Sequence, residues 1–160
     1  MSVDPRQIRD AMGHFATGIT VVTTTDNDGN PVGMTVNSFN SVSLEPPLVL
    51  FSIARDASCF DDICKADKFA VNILSADQQD VSVCFAKSSR DGFNQVVPNI
   101  SANGIPFVAN SLAVFECSAF AQHDGGDHVI FIGKVIAVDH ASEGNPLLYF
   151  RGKYTGVAGA

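Results

Sequence analysis

Residues 19–54 read ITVVTTTDNDGNPVGMTVNSFNSVSLEPPLVLFSIA, and this stretch decides the fold class. Ile19 to Thr25 is built of β-branched residues, which disfavour helix and suit a pleated surface. Asp26-Asn27-Asp28-Gly29-Asn30 is a turn signal, so Pro31 to Phe39 is expected to fold back as the second arm of a hairpin. Pro46-Pro47 then punctuates the chain and starts Leu48 to Ala54, an unbroken apolar run of the kind found in strands covered on both faces.

Working outward, the N-terminal side reads as a helix. Asp4 is a candidate N-cap, Pro5 suits the first helical position and Gln7 completes a capping-box pattern. Ile8, Ala11, Met12 and Phe15 recur on one face, with Gly18 as the expected end. On the C-terminal side, Ser58 to Ala66 and Ser75 to Lys87 each open on a serine and carry apolar residues at helical spacing. Phe69 to Leu74 between them reads as a strand. Ser88 to Pro106 reads as a long loop, a length that is usually functional. Leu112 to Phe120 and His128 to His140, joined by the glycine-rich turn His123 to Asp127, predict a second hairpin. Leu147 to Phe150 is the last expected strand and RGKYTGVAGA reads as a tail. Six or seven strands with three short helices point to a mainly β fold, a closed or nearly closed barrel, because closure removes exposed strand edges. Helices do not alternate with strands as a doubly wound sheet requires, and no G-x-G-x-x-G follows the first strand.

The chain has 160 residues, which suits one domain, 1–160. Hydrophobic residues are 46% and charged residues 17%, which argues against disorder and against a coiled coil. Ten basic against seventeen acidic residues give a net charge of −7, so nucleic acid and anionic membrane surfaces are poor partners. The opening MSVDPRQIRDAMGHF has no apolar core of a secretory signal, and no run approaches the roughly 18 apolar residues of a spanning helix. A cytoplasmic location is the expectation. Cys59, Cys64, Cys84 and Cys117 lack C-x-x-C spacing and are expected to be reduced, mostly buried thiols. His14, His123, His128 and His140 show no ligand spacing, so no metal is expected, and no G-x-S-x-G supports acyl chemistry.

The unusual chemistry lies in Gly33 to Pro47, where a β context carries Thr35, Asn37, Ser38, Asn40, Ser41 and Ser43. These are neutral donors and acceptors. They suit a flat heterocycle with alternating C=O and N–H groups, or equally a polar hairpin whose side chains bond their own backbone in water. Ser58 opens a helix directly after a strand, as anion sites do, and Lys87 with Arg90 forms a candidate phosphate clamp. Lys87 alone would also complement a helix dipole. His128 follows a Gly-Gly-Asp turn at a strand start, where it either meets a ligand or is merely exposed.

GMTVNSFNSVSLEPPLVLFSIA resembles the signature of the short-chain flavin reductases, the small components of two-component flavin-dependent monooxygenases. RDAMGHFATGITVVTT, FAVNILSADQQDVSVCFA, LAVFECSAF, GGDHVIFIGKV and PLLYFRGKY resemble further blocks of that family, in order, over about 140 positions. The resemblance implies a flavin-binding split β-barrel of Greek-key type, working as a homodimer. It implies hydride transfer from NADH or NADPH to FMN or FAD, with reduced flavin leaving for a separate monooxygenase component. Carried onto this chain, Thr35, Val36, Asn37 and Ser38 would lie along the isoalloxazine and ribityl chain. Ser52, Ile53 and Ala54 would pack beside the ring. Ser58 and Cys59 would meet the phosphate, with Phe85, Ala86 and Lys87 nearby. His128 would face the nicotinamide as the catalytic position, and Tyr154 would help close that side. Relatives often carry Ser or Thr where this chain has Cys59. The rival readings are a same-fold protein holding flavin tightly as an electron carrier or oxidase, and a non-enzymatic β-barrel binding module.

Overall fold

The computed structural model describes residues 3–87 and 92–157. In chain order these form α1 (Pro5–Met12), β1 (Thr17–Gly18), β2 (Thr20–Thr25), β3 (Pro31–Val36), β4 (Asn40–Leu44), β5 (Pro47–Ala54), α2 (Phe60–Lys65), β6 (Lys68–Ile73), α3 (Gln79–Lys87), α4 (Gly92–Gln95), β7 (Pro98–Ile100), β8 (Pro106–Val108), β9 (Ala113–Gly125), β10 (His128–His140), β11 (Leu148–Phe150) and β12 (Lys153–Thr155).

The first hairpin forms as its sequence demands. β2 and β3 pair antiparallel from Thr20↔Val36 to Thr25↔Pro31. In the turn, the Asp26 carboxylate accepts the backbone N–H groups of Asp28 and Asn30, both at 2.9 Å. Gly29 supplies the left-handed residue at φ 83°.

Seven strands make one sheet in the order β3-β2-β6-β9-β10-β5-β4, every neighbouring pair antiparallel. The two edge strands, β3 and β4, are consecutive in the chain, so the sheet must curl to bring its two sides together. Bulges in the long β9–β10 ladder assist: Phe120 on β9 and Ile136 on β10 have no opposite residue, and such irregularities increase local twist. The curl stops short of a closed ladder. Between β3 and β5 the junction is made by a side chain: the Ser38 hydroxyl donates to Ser52 O (3.1 Å) and accepts from Ser52 N–H (2.9 Å). The sequence expectation of a nearly closed barrel is thus met, with a defined split.

Two apolar clusters lie on opposite faces of the sheet. The inner one holds Val22, Val49, Phe51, Ile53, Phe69, Val71 and Phe131 among others, with the Phe51 and Phe131 rings stacked at 5.2 Å. The outer one gathers Ile19, Val21, Leu74, Phe85, Val108 and Leu147 under α3 and α4. Adjacent β2 residues Val21 and Val22 serve different clusters because side chains alternate across a strand.

Several expectations are corrected. α1 stops at Met12, capped by Gly13, and not at Gly18, because the chain turns through Gly13 to His14 to reach β1. The described part of the expected Ser88–Pro106 loop contains α4, β7 and the start of β8. Ser88, Ser89 and Arg90, and with them half of the phosphate clamp, lie outside the described residues. The expected tail folds as a hairpin, β11 to β12, whose two turn residues Arg151 and Gly152 both have positive φ. β5 is sealed on only one face within the single chain: Val49, Phe51 and Ile53 are buried, while Leu48, Leu50, Ser52 and Ala54 are half-exposed.

Candidate functional site

The split is where sequence and structure converge. β3 ends at Val36, whose side chain joins the inner core, and its carbonyl accepts the Thr20 hydroxyl at 3.0 Å. Thr35 points to the opposite face and donates to Ser82 O on α3 at 2.7 Å. Ser82 Oγ in turn lies 2.9 Å from Tyr154 Oη. One polar chain therefore ties β3, α3 and β12 together. Asn37 follows as an exposed amide on the rim of a cavity that Phe15 and Tyr149 also line. Ser38 closes the split, leaving one lone pair of its hydroxyl uncommitted.

The other side of the split is built by the β5–β10 ladder. Ser52 stands opposite Ile130 and Ala54 opposite His128, so Ser52, Ala54 and His128 share one outward face. His128 is half-exposed, and its Nδ1 is 2.8 Å from Asp127 Oδ1. The turn before it is clamped by Arg55, which donates from Nε to Gly126 O (3.0 Å) and from a terminal nitrogen to Asp124 (2.6 Å). That guanidinium, with the Gly126 N–H, holds the Asp124 carboxyl below its ordinary range, and the hydrogen bond from the His128 ring does the same for Asp127.

The expected residues fall into two groups. Thr35, Asn37, Ser38, Ser52, Ala54, Ser58, Ala86, Lys87, His128 and Tyr154 keep exposed or half-exposed surface. Val36, Ile53, Cys59 and Phe85 do not: Cys59 has no accessible surface, Ile53 and Phe85 about 1%, and Val36 6%. Their side chains belong to the two apolar cores. Ser58 is not the helix cap expected: Cys59 takes the position before Phe60, without a side-chain capping bond. Burial pushes the Cys117 thiol up to about 12 and raises that of Cys64, so neither offers a thiolate at neutral pH. No cluster that could hold a metal occurs among the described residues.

Two features were missed. Asn72, inside the apolar run FAVNIL, is fully buried and bonds across three strands. Arg9 and Arg151 line one cavity from opposite ends of the chain. Alternation in the strand offered no sign of the first, and only the fold creates the second.

The family model described as "Flavin reductase like domain" matches residues 12–158. The chain belongs to the flavin reductase-like family. It is 45% identical over 149 residues to the FMN reductase (NADH) SmoA of Agrobacterium fabrum, covering 93% of this chain and 84% of that one. It is 40% identical over 156 residues to the reductase subunit HsaB of a flavin-dependent monooxygenase of Rhodococcus jostii, covering 98% and 80%. Other relatives are longer: the chain spans 48% of the Rhizobium meliloti protein named "Probable flavin reductase", at 46% identity. Among solved structures, the NADH:FAD oxidoreductase SgcE6 of Streptomyces globisporus, in complex with NAD and FAD fragments, superposes with a TM-score of 0.91 at 37% identity, covering 99% of this chain and 98% of that one.

Proposed function

We propose that the chain is an NAD(P)H-dependent flavin reductase that delivers reduced FMN or FAD to a separate monooxygenase. The observation that carries this reading is the neutral polar rim of the split. The Asn37 amide is exposed and has no partner among the described residues, while Ser38 retains acceptor capacity beside it. A flat uncharged heterocycle with both C=O and N–H edges fits such donors and acceptors, and Phe15 and Tyr149 stand close by to cover ring faces. The relatives' names and bound molecules agree with flavin and nicotinamide.

Asn37 and the backbone of residues 35–38 would hold the ring edge, and Ser52 and Ala54 would form the surface beside it. Ser58 and Lys87 offer polar groups for a phosphate. When bound, flavin supplies a two-electron acceptor, and nicotinamide the donor. The protein's task is then orientation. With Nδ1 held by Asp127, His128 has Nε2 left for the nicotinamide carboxamide, so it positions and need not donate a proton.

Exposed apolar residues on β4, β5 and β9 support assembly as a homodimer. Leu44 is 92% exposed, Phe120 54% and Val42 46%, and Leu48 and Leu50 of β5 lie half-covered on the same sheet. Apolar area of this kind asks for a covering surface, and a second copy is the simplest one. Steady-state oxidation of NADH and NADPH with FMN, FAD and riboflavin tests the activity. No turnover with any pair refutes it, and flavin that remains bound through gel filtration would favour a carrier over a supplier. Light scattering tests the dimer, with a mass near twice 16.9 kDa expected.

A further inference from the structure

The β5–β10 ladder ends on the rung that pairs Ala54 with His128. Past that rung the β9–β10 hairpin closes through Gly126 and Asp127, with Gly126 at φ 79°. β9 beyond Ser118 has β10 as its only partner strand among the described residues. The Gln122 side chain, which donates to Cys64 O at 2.8 Å, ties back lower on the hairpin. A hairpin tip secured only by its own pairing belongs to the least stable part of a fold.

One residue supplies further ties. Arg55 donates its backbone N–H to Asp127 O (2.9 Å), its Nε to Gly126 O (3.0 Å) and a terminal nitrogen to Asp124 Oδ1 (2.6 Å). Asp124 Oδ1 also accepts the Gly126 N–H at 3.3 Å, so both backbone polar groups of Gly126 end on the same ion pair. Asp127, whose carbonyl is held by Arg55, holds the His128 ring through its carboxylate at 2.8 Å. The two side chains of the ion pair are 47% and 79% exposed, and such a pair adds little to overall stability. What it fixes is local: the tip, and with it the carboxylate that orients the imidazole. A guanidinium fork reaches a carbonyl and a carboxylate at once, which the single nitrogen of a lysine does not match.

We propose that Arg55 is a positioning residue for hydride transfer: it holds the hairpin tip so that the His128 imidazole meets the nicotinamide in one place, and it touches neither donor nor flavin itself. The inference rests on the reductase reading, in which His128 orients the nicotinamide. Arg55 directly follows Ala54, so the residue that ends the wall assigned to the flavin also anchors the group assigned to the donor. Orientation of this kind governs rate steeply, because small misplacements of reacting groups are costly.

The test compares wild type, Arg55→Ala, Arg55→Lys, His128→Ala and the Arg55→Ala/His128→Ala double variant in NADH oxidation at saturating flavin. Arg55→Ala is expected to lower kcat/KM for NADH roughly tenfold, with riboflavin affinity and the urea midpoint unchanged. An unchanged kcat/KM overturns the proposal. Arg55→Lys keeps the charge and loses the fork, so it is expected to stay impaired. Full recovery by lysine would make attraction of the anionic donor the cause and overturn the clamp. The double variant is expected to be no worse than His128→Ala alone, since Arg55 acts through His128. Losses that multiply would mean that Arg55 acts on a ligand directly, which also overturns the proposal. Backbone NMR relaxation of residues 126–128 is read in parallel, with lower order expected in Arg55→Ala, and unchanged order refutes the clamp whatever the kinetics. If the wild type oxidises neither NADH nor NADPH, the reductase reading fails and takes the hydride role with it, while the relaxation data still decide whether Arg55 holds the tip.

Discussion

Asn72 and Asn37 each follow a valine in a β context, yet they have opposite fates. Asn72 has no accessible surface and spends its amide within the chain: Nδ2 donates to Val21 O (2.8 Å) and Thr23 Oγ1 (3.1 Å), and Oδ1 accepts from Val108 N–H (2.9 Å). It fastens β8 to β2 and β6. Asn37 stands exposed at the split with no described partner. A buried amide must be satisfied by its own chain, whereas an exposed one beside a cavity is available to a ligand. Residue type and local pattern do not separate the two, but the location of their partners does.

The largest expected break in this comparison is Asn72→Ala. It leaves the Val108 N–H unpaired in a buried setting and should destabilise folding by about 3 kcal/mol, read as a lower urea midpoint. An unchanged midpoint would remove Asn72 from the structural side. On the ligand side, His128→Ala should lower kcat/KM for NAD(P)H by roughly 5- to 150-fold, equivalent to about 1–3 kcal/mol. A loss that sits in KM would mark His128 as a residue that orients the nicotinamide. A single-turnover rate that collapses at saturating NAD(P)H would instead make His128 an obligatory acid.

Ser38 lies between the two kinds. Ser38→Ala leaves both the N–H and the carbonyl of Ser52 without their side-chain partner, and should cost about 1–2 kcal/mol of stability together with weaker flavin binding. A change in only one of the two readouts would assign Ser38 wholly to one side. Asn37→Ala should leave the urea midpoint within about 0.5 kcal/mol of wild type, as surface substitutions do. Flavin affinity should fall by about 0.5–1.5 kcal/mol, followed by fluorescence titration. Wild-type affinity in the folded variant would move Asn37 out of the site.

The smallest effect concerns acid. Asp124 and Asp127 are both held below their ordinary range, by Arg55 and His128 respectively. A depressed folded value means the contribution is present above the ordinary carboxylate pKa and is lost as pH falls through the lowered one. The Arg55–Asp124 clamp on the turn before His128 should therefore hold across neutral pH and loosen only in acid. Carboxyl chemical shifts of the two aspartates check this, and midpoints at or above the ordinary value would contradict it.

Much of the β framework was legible because β-branched runs and Asp/Asn/Gly turns act locally: β2, β3, β5, β6 and the β9–β10 hairpin all follow from them. The β11–β12 hairpin was hidden because its turn begins with Arg151, a residue that turn chemistry does not suggest. α4 and β7 were hidden in polar sequence whose structure is set by packing on Phe85 and by pairing with β8. In the site, the rim residues Thr35, Asn37 and Ser38 stood out as polar in a strand context. The core positions of Val36, Ile53, Cys59 and Phe85 did not, since a motif records which residues are near a ligand and not which way each side chain faces.

The Ser38–Ser52 junction turns one amide into a reporter. Most N–H groups of the sheet are locked in ladders, whose protection from solvent exchange falls only when strands part. The Ser52 N–H is held by a single hydroxyl that can rotate away without disturbing any ladder. Its deuterium uptake therefore gauges the opening of the split alone, and slowing of that uptake on addition of flavin would register ligand arrival at one backbone position while the rest of the sheet stays silent.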